Sequence, residues 1–164
     1  MAITAIISIH PNNTYCQYRD HNQIAATVKK LASQYPSLCS ARSLTKTAGG
    51  KDIWLITIGT GDRDNKPGIA VVGGTDGKYI LGRELALGFA EDLLTGSGNT
   101  ETNDLLNRVT YYIFPDVSPD ASAQYFAPLK YERNRNARTT DEDRDFLYDE
   151  DPFEDLNGDN VITL

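Results

Sequence analysis

Three stretches carry residues whose types and spacing could do chemistry. The first is GGTDGKYILGRELALGFAEDLL, residues 73–94, which reads as a strand ending in a glycine pair, a short turn, and a helix. Chemistry in open α/β sheets sits at the carboxyl ends of strands, so Asp76-Gly77-Lys78-Tyr79 is a candidate site. The second is ERNRNART, residues 132–139, which offers Arg133, Arg135 and Arg138. The third is the acidic segment from Asp141. Loops that hold calcium supply oxygens from alternate residues. Asp141, Asp143, Asp145 and Asp149 stand at the first, third, fifth and ninth places of such a loop. Asp155, Asn157 and Asp159 begin a second one, and Leu147 and Val161 would add backbone carbonyls. Phe146 stands where the first loop wants glycine, and Pro152 where a bidentate glutamate would close it. Two adjacent, partly shared sites are therefore expected rather than two complete loops. The alternative is a solvated acidic tail, against which the interleaved Phe146, Leu147, Tyr148, Phe153, Leu156, Val161 and Ile162 argue.

The charge is unevenly placed. Residues 141–164 carry ten acids and one base, a balance of −9, while residues 1–140 carry thirteen acids and fifteen bases, a balance of +2. The acidic segment would repel phosphates, which argues against a nucleic-acid partner, and it favours a cation. No apolar run approaches the roughly 20 residues of a membrane helix. Ala2–Ile9 is apolar but short, lacks a basic flank, and reads as a loose start or a first strand rather than a signal peptide. Cys16 and Cys39 flank a predicted helix that would hold its ends roughly 20 Å apart. A disulfide needs Cα atoms about 6 Å apart, so two free thiols are expected.

These groups must be positioned by regular elements. Asp20 caps a helix on which Ile24, Val28, Leu31 and Tyr35 recur, and Pro36 ends it. Ala41–Thr47 and Ile53–Gly59 read as strands joined by a Gly49-Gly50 hairpin. Ile69–Val72 reads as a short strand buried on both faces. A helix follows, with Leu81, Leu85, Phe89 and Leu93 on one stripe. Asn103–Asn107 is a short helix, and Val109–Phe114 a fourth strand. The strand–helix–strand unit implies a parallel crossover. The fold class is therefore α/β, with a mixed, mostly parallel sheet and flanking helices. Residues 1–140 form the domain; 141–164 pack on it or extend from it.

In this order the motifs resemble the zinc carboxypeptidases of the carboxypeptidase A type. Gly50-Lys51-Asp52-Ile53-Trp54 is similar to the family's GRDIW strand start. Pro67-Gly68-Ile69 leads into Gly73-Gly74. Gly82-Arg83-Glu84-Leu85 resembles the GREL that opens the helix after the metal turn. Phe114-Pro115 and Ser118-Pro119-Asp120-Ala121 resemble P…NPDG. The resemblance spans about residues 18–138, and some bacterial members carry aspartate-rich insertions like the one here.

The resemblance implies a turn reading His-Gly-Asn-Glu, whose His and Glu bind zinc. The matched positions are Asp76 and Tyr79. Catalytic zinc takes three protein ligands and an open water position. Asp76 could serve as one. A phenol with a pKa near 10 stays protonated at neutral pH, so Tyr79 is a poor replacement. The family's third ligand and catalytic glutamate lie further downstream, whereas this sequence holds only His10 and His21, both read as ordinary surface or capping residues. Zinc is therefore not expected, nor peptide hydrolysis by zinc-bound water. The resemblance also implies an arginine that polarises the scissile carbonyl; Arg135 is the best match and Arg133 the next. The alternative is that these arginines balance the acidic tail. Three functions stay open: a carboxypeptidase-like domain without its zinc site, binding peptide or serving structure with calcium in its tail; the N-terminal half of a working metallocarboxypeptidase; and a calcium-dependent interaction module. Calcium favours an extracellular or periplasmic location. The strand after residue 68 is central in the family, so a bare edge there predicts self-association or cover by the tail.

Overall fold

The computed structural model describes residues 18–141, 143–149, 155 and 157–162. Ala2–Ile9, His10, Cys16 and Pro152 lie outside these. Helix α1 (His21–Gln34) starts at a reciprocal capping box. The Asp20 carboxylate accepts the Gln23 N–H at 2.8 Å, and the Gln23 side chain accepts the Asp20 N–H at 2.8 Å. Such a cap contributes about 1 kcal/mol. Strands β1 (Cys39–Lys46) and β2 (Asp52–Ile58) form the expected hairpin. Gly50 turns it with φ +75°, a conformation that costs glycine no Cβ clash. Strand β3 (Gly68–Val72) leads to α2 (Leu81–Thr95), then α3 (Thr100–Arg108), β4 (Thr110–Phe114) and the short α4 (Pro119–Ser122).

The four strands lie in the order β1-β2-β4-β3. The β3–β4 pair is parallel, as the strand–helix–strand unit requires, with Ile69 opposite Tyr111 and Val71 opposite Ile113. The sheet is mixed, but its balance differs from expectation: β1–β2 and β2–β4 are both antiparallel. The hairpin explains this, because its return strand rather than its first strand meets β4.

Alternate residues of a strand share a face. Cys39, Ile56, Ile58, Tyr111 and Ile113 form one such face, and it packs in a single cluster with Ile24, Val28 and Leu31 of α1, Ala86, Leu87, Ala90 and Leu94 of α2, and Leu106 of α3. Each fully buried aliphatic side chain here contributes about 1.5–3 kcal/mol. Cys39 is a free, buried thiol.

Two expectations about burial are corrected. Strand β3 is not buried on both faces; it is an edge of the described sheet, with Ile69 and Val72 44% and 48% exposed. A continuous apolar run records hydrophobicity, not the presence of a neighbour. Likewise the buried side of α2 is Arg83, Ala86, Leu87, Ala90, Leu93 and Leu94. Leu81, Leu85 and Phe89 face outward. Besides Arg83, Glu84, Glu91 and Asp92 the helix carries apolar residues on both sides, so its stripe could be drawn on either. Among the described residues the tail does not pair with β3; it bridges to Lys130 through Val161.

Candidate functional site

Because β3 and β4 are parallel, both deliver their carboxyl ends to the same side of the sheet. There the chain is held closely. The Gly73 N–H donates to the Phe114 carbonyl at 2.8 Å, and Val117 N–H donates to the Gly73 carbonyl at 3.2 Å. Gly74 has φ +61°, and a Cβ on it would collide with the Asp116 carboxylate. A Cβ on Gly77 would collide with the Ala121 side chain and lie 2.8 Å from the Arg133 carbonyl oxygen. The turn is therefore clamped between α4 and the 130s loop.

Beneath it lies a buried ion pair. Arg83 Nε is 3.2 Å from Asp116 Oδ2, with the side chains 1% and 4% exposed. Asp116 also accepts the Ser118 N–H at 3.1 Å and the Ser122 hydroxyl at 2.8 Å. Arg83 donates to the Arg19 carbonyl at 2.5 Å and lies 5.5 Å from the Phe126 ring centroid. Burial pushes the Asp116 carboxyl up and the Arg83 guanidinium down, each opposed by the other's charge. Asp120, in the NPDG-like stretch, ties three segments together. It accepts from Thr47 Oγ1 at 2.7 Å, Gly49 N at 3.1 Å and Ala137 N at 2.9 Å. Burial alone would raise its pKa; these bonds and the nearby Lys51 leave it lowered. Sequence reading named these motifs but not the pair beneath them, although an arginine on the same helical side as Ala86 and Ala90 was a visible signal.

The two matched metal positions differ in surroundings. Asp76 is half-buried and accepts the Lys78 N–H at 3.2 Å. Tyr79 is 66% exposed, with Lys78 Nζ 5.2 Å from its ring centroid. Among the described residues, Asp76 belongs to no group of three or more clustered His, Cys, Asp or Glu ligands. Arg133 donates from Nε and Nη2 to the carbonyls of Arg135 and Asn136 at 3.1 and 2.8 Å. Arg135 donates to Thr140 Oγ1 at 2.7 Å.

In the tail, Asp141, Asp143 and Asp145 bring one carboxylate oxygen each within 4.8 Å of one another. Asp149 turns instead to Thr140, accepting its N–H at 3.2 Å. The two acidic stretches share one backbone plan, which sequence reading missed as a repeat. Asp141 accepts from the N–H of Arg144 at 2.7 Å and of Phe146 at 3.0 Å. Asp155 accepts from Gly158 at 2.8 Å and Asn160 at 2.7 Å. The fourth and sixth residues of both loops have positive φ: 67° and 73° at Arg144 and Phe146, 76° and 62° at Gly158 and Asn160. Asp143 and Asn157 each accept the N–H two residues on, at 3.3 and 3.1 Å.

Comparison with known proteins agrees with this frame. The zinc carboxypeptidase family matches residues 24–160. Carboxypeptidase B of Astacus astacus is 26% identical over 125 residues, covering 76% of this chain and 40% of its own length. Carboxypeptidase M of Mus musculus is 27% identical over 148 residues, covering 85% and 33%. The solved structure of carboxypeptidase A from Helicoverpa armigera has a TM-score of 0.67 at 20% identity, over 75% of this chain and 30% of that one. Bovine thrombin-activatable fibrinolysis inhibitor gives 0.65 at 16%, over 80% and 41%. The chain thus spans less than half the length of these relatives, and on the family match it belongs to the zinc carboxypeptidases, of whose fold it carries a part.

Proposed function

We propose that this chain is a carboxypeptidase-type scaffold that binds rather than hydrolyses peptides, with calcium ordering its acidic segment. The observation that carries the reading is the turn at residues 76–79. It offers one carboxylate and one exposed phenol where the family resemblance implies a histidine and a glutamate. That donor set does not fit a catalytic zinc, which needs three good ligands and a polarised water. No hydrolytic step is therefore assigned to these residues. Arg135 and Arg133 remain the candidates for contacting a peptide carbonyl. The domain is read as residues 1–140, followed by a calcium-binding segment using Asp141, Asp143, Asp145, Asp149, Asp155, Asn157 and Asp159. The support is the gathered carboxylates of the first loop and the repeated backbone plan of the second. A left-handed conformation at non-glycine Arg144 and Phe146 costs about 1 kcal/mol or more each, and a bound ion would offset it. A calcium site of this kind favours an extracellular or periplasmic setting. No helix of the described residues is long and apolar enough to cross a membrane.

A second reading is that the chain is the N-terminal part of a working metallocarboxypeptidase. Its support is coverage of only 33–40% of the two curated relatives. A third is a calcium-dependent interaction module with no peptide groove. Elemental analysis after dialysis against zinc or calcium tests the metal in each reading, and peptide binding separates the first from the third. Calcium retained and zinc lost is the expected result. Stoichiometric zinc would sink the binding-scaffold reading. Zinc and calcium both lost would remove the metal from all three.

A further inference from the structure

The sheet has a second face, turned away from α1 and α2, and the chain builds a groove of about 590 Å³ on it. That is within the range of small-molecule sites, roughly 300–1,000 Å³. Alternate residues of a strand point the same way, so the chain neighbours of the buried Cys39, Ile56 and Tyr111 lie here. The register sets Ser40 across from Thr57, and Thr57 across from Tyr112. They form one row of three hydroxyls, with Cβ atoms about 5 Å apart from strand to strand. In the next row Arg42 stands across from Leu55, which is 5% exposed and adds apolar lining.

The loop from Gly61 to Asp64 supplies the remaining wall, and its arginine fixes it to the strands. Arg63 donates from Nε to the Gly59 carbonyl at 3.0 Å, from Nη1 to Ser40 Oγ at 3.2 Å and from Nη2 to the Ser37 carbonyl at 2.9 Å. Its own carbonyl accepts the Thr110 hydroxyl at 2.8 Å. The charges that line the groove are not used on one another. Two cations, Arg42 and Arg63, share it with two acids, Asp62 and Asp64, yet among the described residues no ion pair includes any of the four. Asp62 accepts the Asp64 N–H at 3.3 Å and the Asn65 side-chain amide at 2.7 Å. Among the described residues, the Arg42 guanidinium, the Asp64 carboxylate and the Thr57 and Tyr112 hydroxyls have no hydrogen-bond partner.

An arginine offers only donors, an ionised carboxylate only acceptors, and a hydroxyl both. An anion in this groove would gain from the arginines and lose to the aspartates; a cation would do the reverse. A neutral ligand whose neighbouring hydroxyls both give and accept satisfies the two sets together. Its C–H faces suit the Tyr112 ring and Leu55. We propose that this groove binds a neutral carbohydrate, with ring hydroxyls accepting from Arg42 and donating to Asp64 beside the Ser40–Thr57–Tyr112 row. The groove shares no residue with the 76–79 turn, the 132–139 stretch or the acidic segment, so the proposal stands or falls apart from the metal and peptide readings.

The test is an NMR titration of the full chain with maltose, cellobiose and N,N′-diacetylchitobiose. At least one is expected to move the amide signals of Ser40, Thr57 and Tyr112 with a Kd of about 1 mM, the affinity of a few net hydrogen bonds. Arg42→Ala and Asp64→Ala truncate exposed side chains, so the fold survives, and unmoved Ile56 and Ile113 signals verify that. Each variant should weaken that sugar about threefold to tenfold. Raising the salt should leave its binding unchanged, because the ligand carries no charge. Sulfate and glycine serve as charged probes and are expected to bind more weakly than the sugar. No shifts in this groove with any of the three sugars, a sugar held equally well by both variants, or tighter binding of sulfate or glycine would overturn the proposal.

Discussion

Removing the carboxylate of Asp116 tests how the site is held. In Asp116→Ala the guanidinium of Arg83 stays 1% exposed but loses its counter-ion at 3.2 Å. Arg83 Nη1 and Nε already lack a hydrogen-bond partner, so the substitution leaves the Arg19 carbonyl, the Phe126 ring and the charges of Glu84 and Asp20 to compensate the guanidinium. The Ser118 N–H also loses its side-chain acceptor, and the Ser122 hydroxyl keeps only the longer bond to the Pro119 carbonyl at 3.4 Å. Breaking one side of a buried pair costs about 3–5 kcal/mol. Against a typical total of about 5–15 kcal/mol, that is a large fraction of the stability. The pair itself need not be stabilising, because two charges were desolvated to form it. Arg83→Met with Asp116→Ala removes both charges and keeps an unbranched apolar stem against Phe126. The double variant should therefore recover most of the loss, to within about 1–2 kcal/mol of the original chain. Urea unfolding followed by far-ultraviolet circular dichroism measures all three proteins. A single variant costing under about 1 kcal/mol, or a double variant no more stable than the single, would refute the argument.

Two further outcomes follow from the fold. Burial raises the Cys39 thiol from 9.0 to about 11; the unfolded chain then loses its proton first as pH rises. The thiol's contribution to stability is constant below about pH 9 and falls by about 2–3 kcal/mol between pH 9 and 11. Cys39→Ala should be less stable at neutral pH but show a shallower alkaline loss, and equal slopes would exclude the thiol as the cause. Strand β3 has no lysine or proline within it to guard the edge it forms among the described residues, so we propose that the chain self-associates there. Sedimentation at increasing concentration should reveal a dimer that Val72→Lys abolishes; a monomer at every concentration would refute this.

Legibility in the sequence divided along physical lines. Elements set by local rules were readable: the Asp20 cap and the Gly49-Gly50 hairpin follow from neighbouring residues, and the parallel β3–β4 unit from the strand–helix–strand order. What depended on neighbours across the fold was not. The run Ile69–Val72 is apolar enough for a central strand, yet it is an edge because no strand of the described residues lies beyond it. The outward Leu81, Leu85 and Phe89 are spaced as well as the buried Ala86, Leu87 and Ala90, and only the sheet decides between them. Arg83 and Asp116 meet because two strand ends converge, which a 33-residue separation in the chain hides. The groove is assembled from four segments and left no single motif.

The family frame and the family chemistry are held by different atoms, and this limits what the frame implies. Gly74 and Gly77 are required by close approach to Asp116, Ala121 and Arg133, so the turn's backbone is fixed by packing. The side chain of Tyr79 is mostly in solvent, and that of the half-buried Asp76 accepts the Lys78 N–H within its own turn. Changing Tyr79 costs the fold almost nothing, because surface substitutions away from packed or bonded sites change stability by about 0.5 kcal/mol or less, and changing Asp76 removes one acceptor of an exposed N–H. A metal-binding turn can therefore lose its ligands while its backbone persists intact. Likeness of fold then carries no information about zinc at positions 76 and 79; only the side chains there do, and their chemistry is that of one carboxylate beside an exposed phenol.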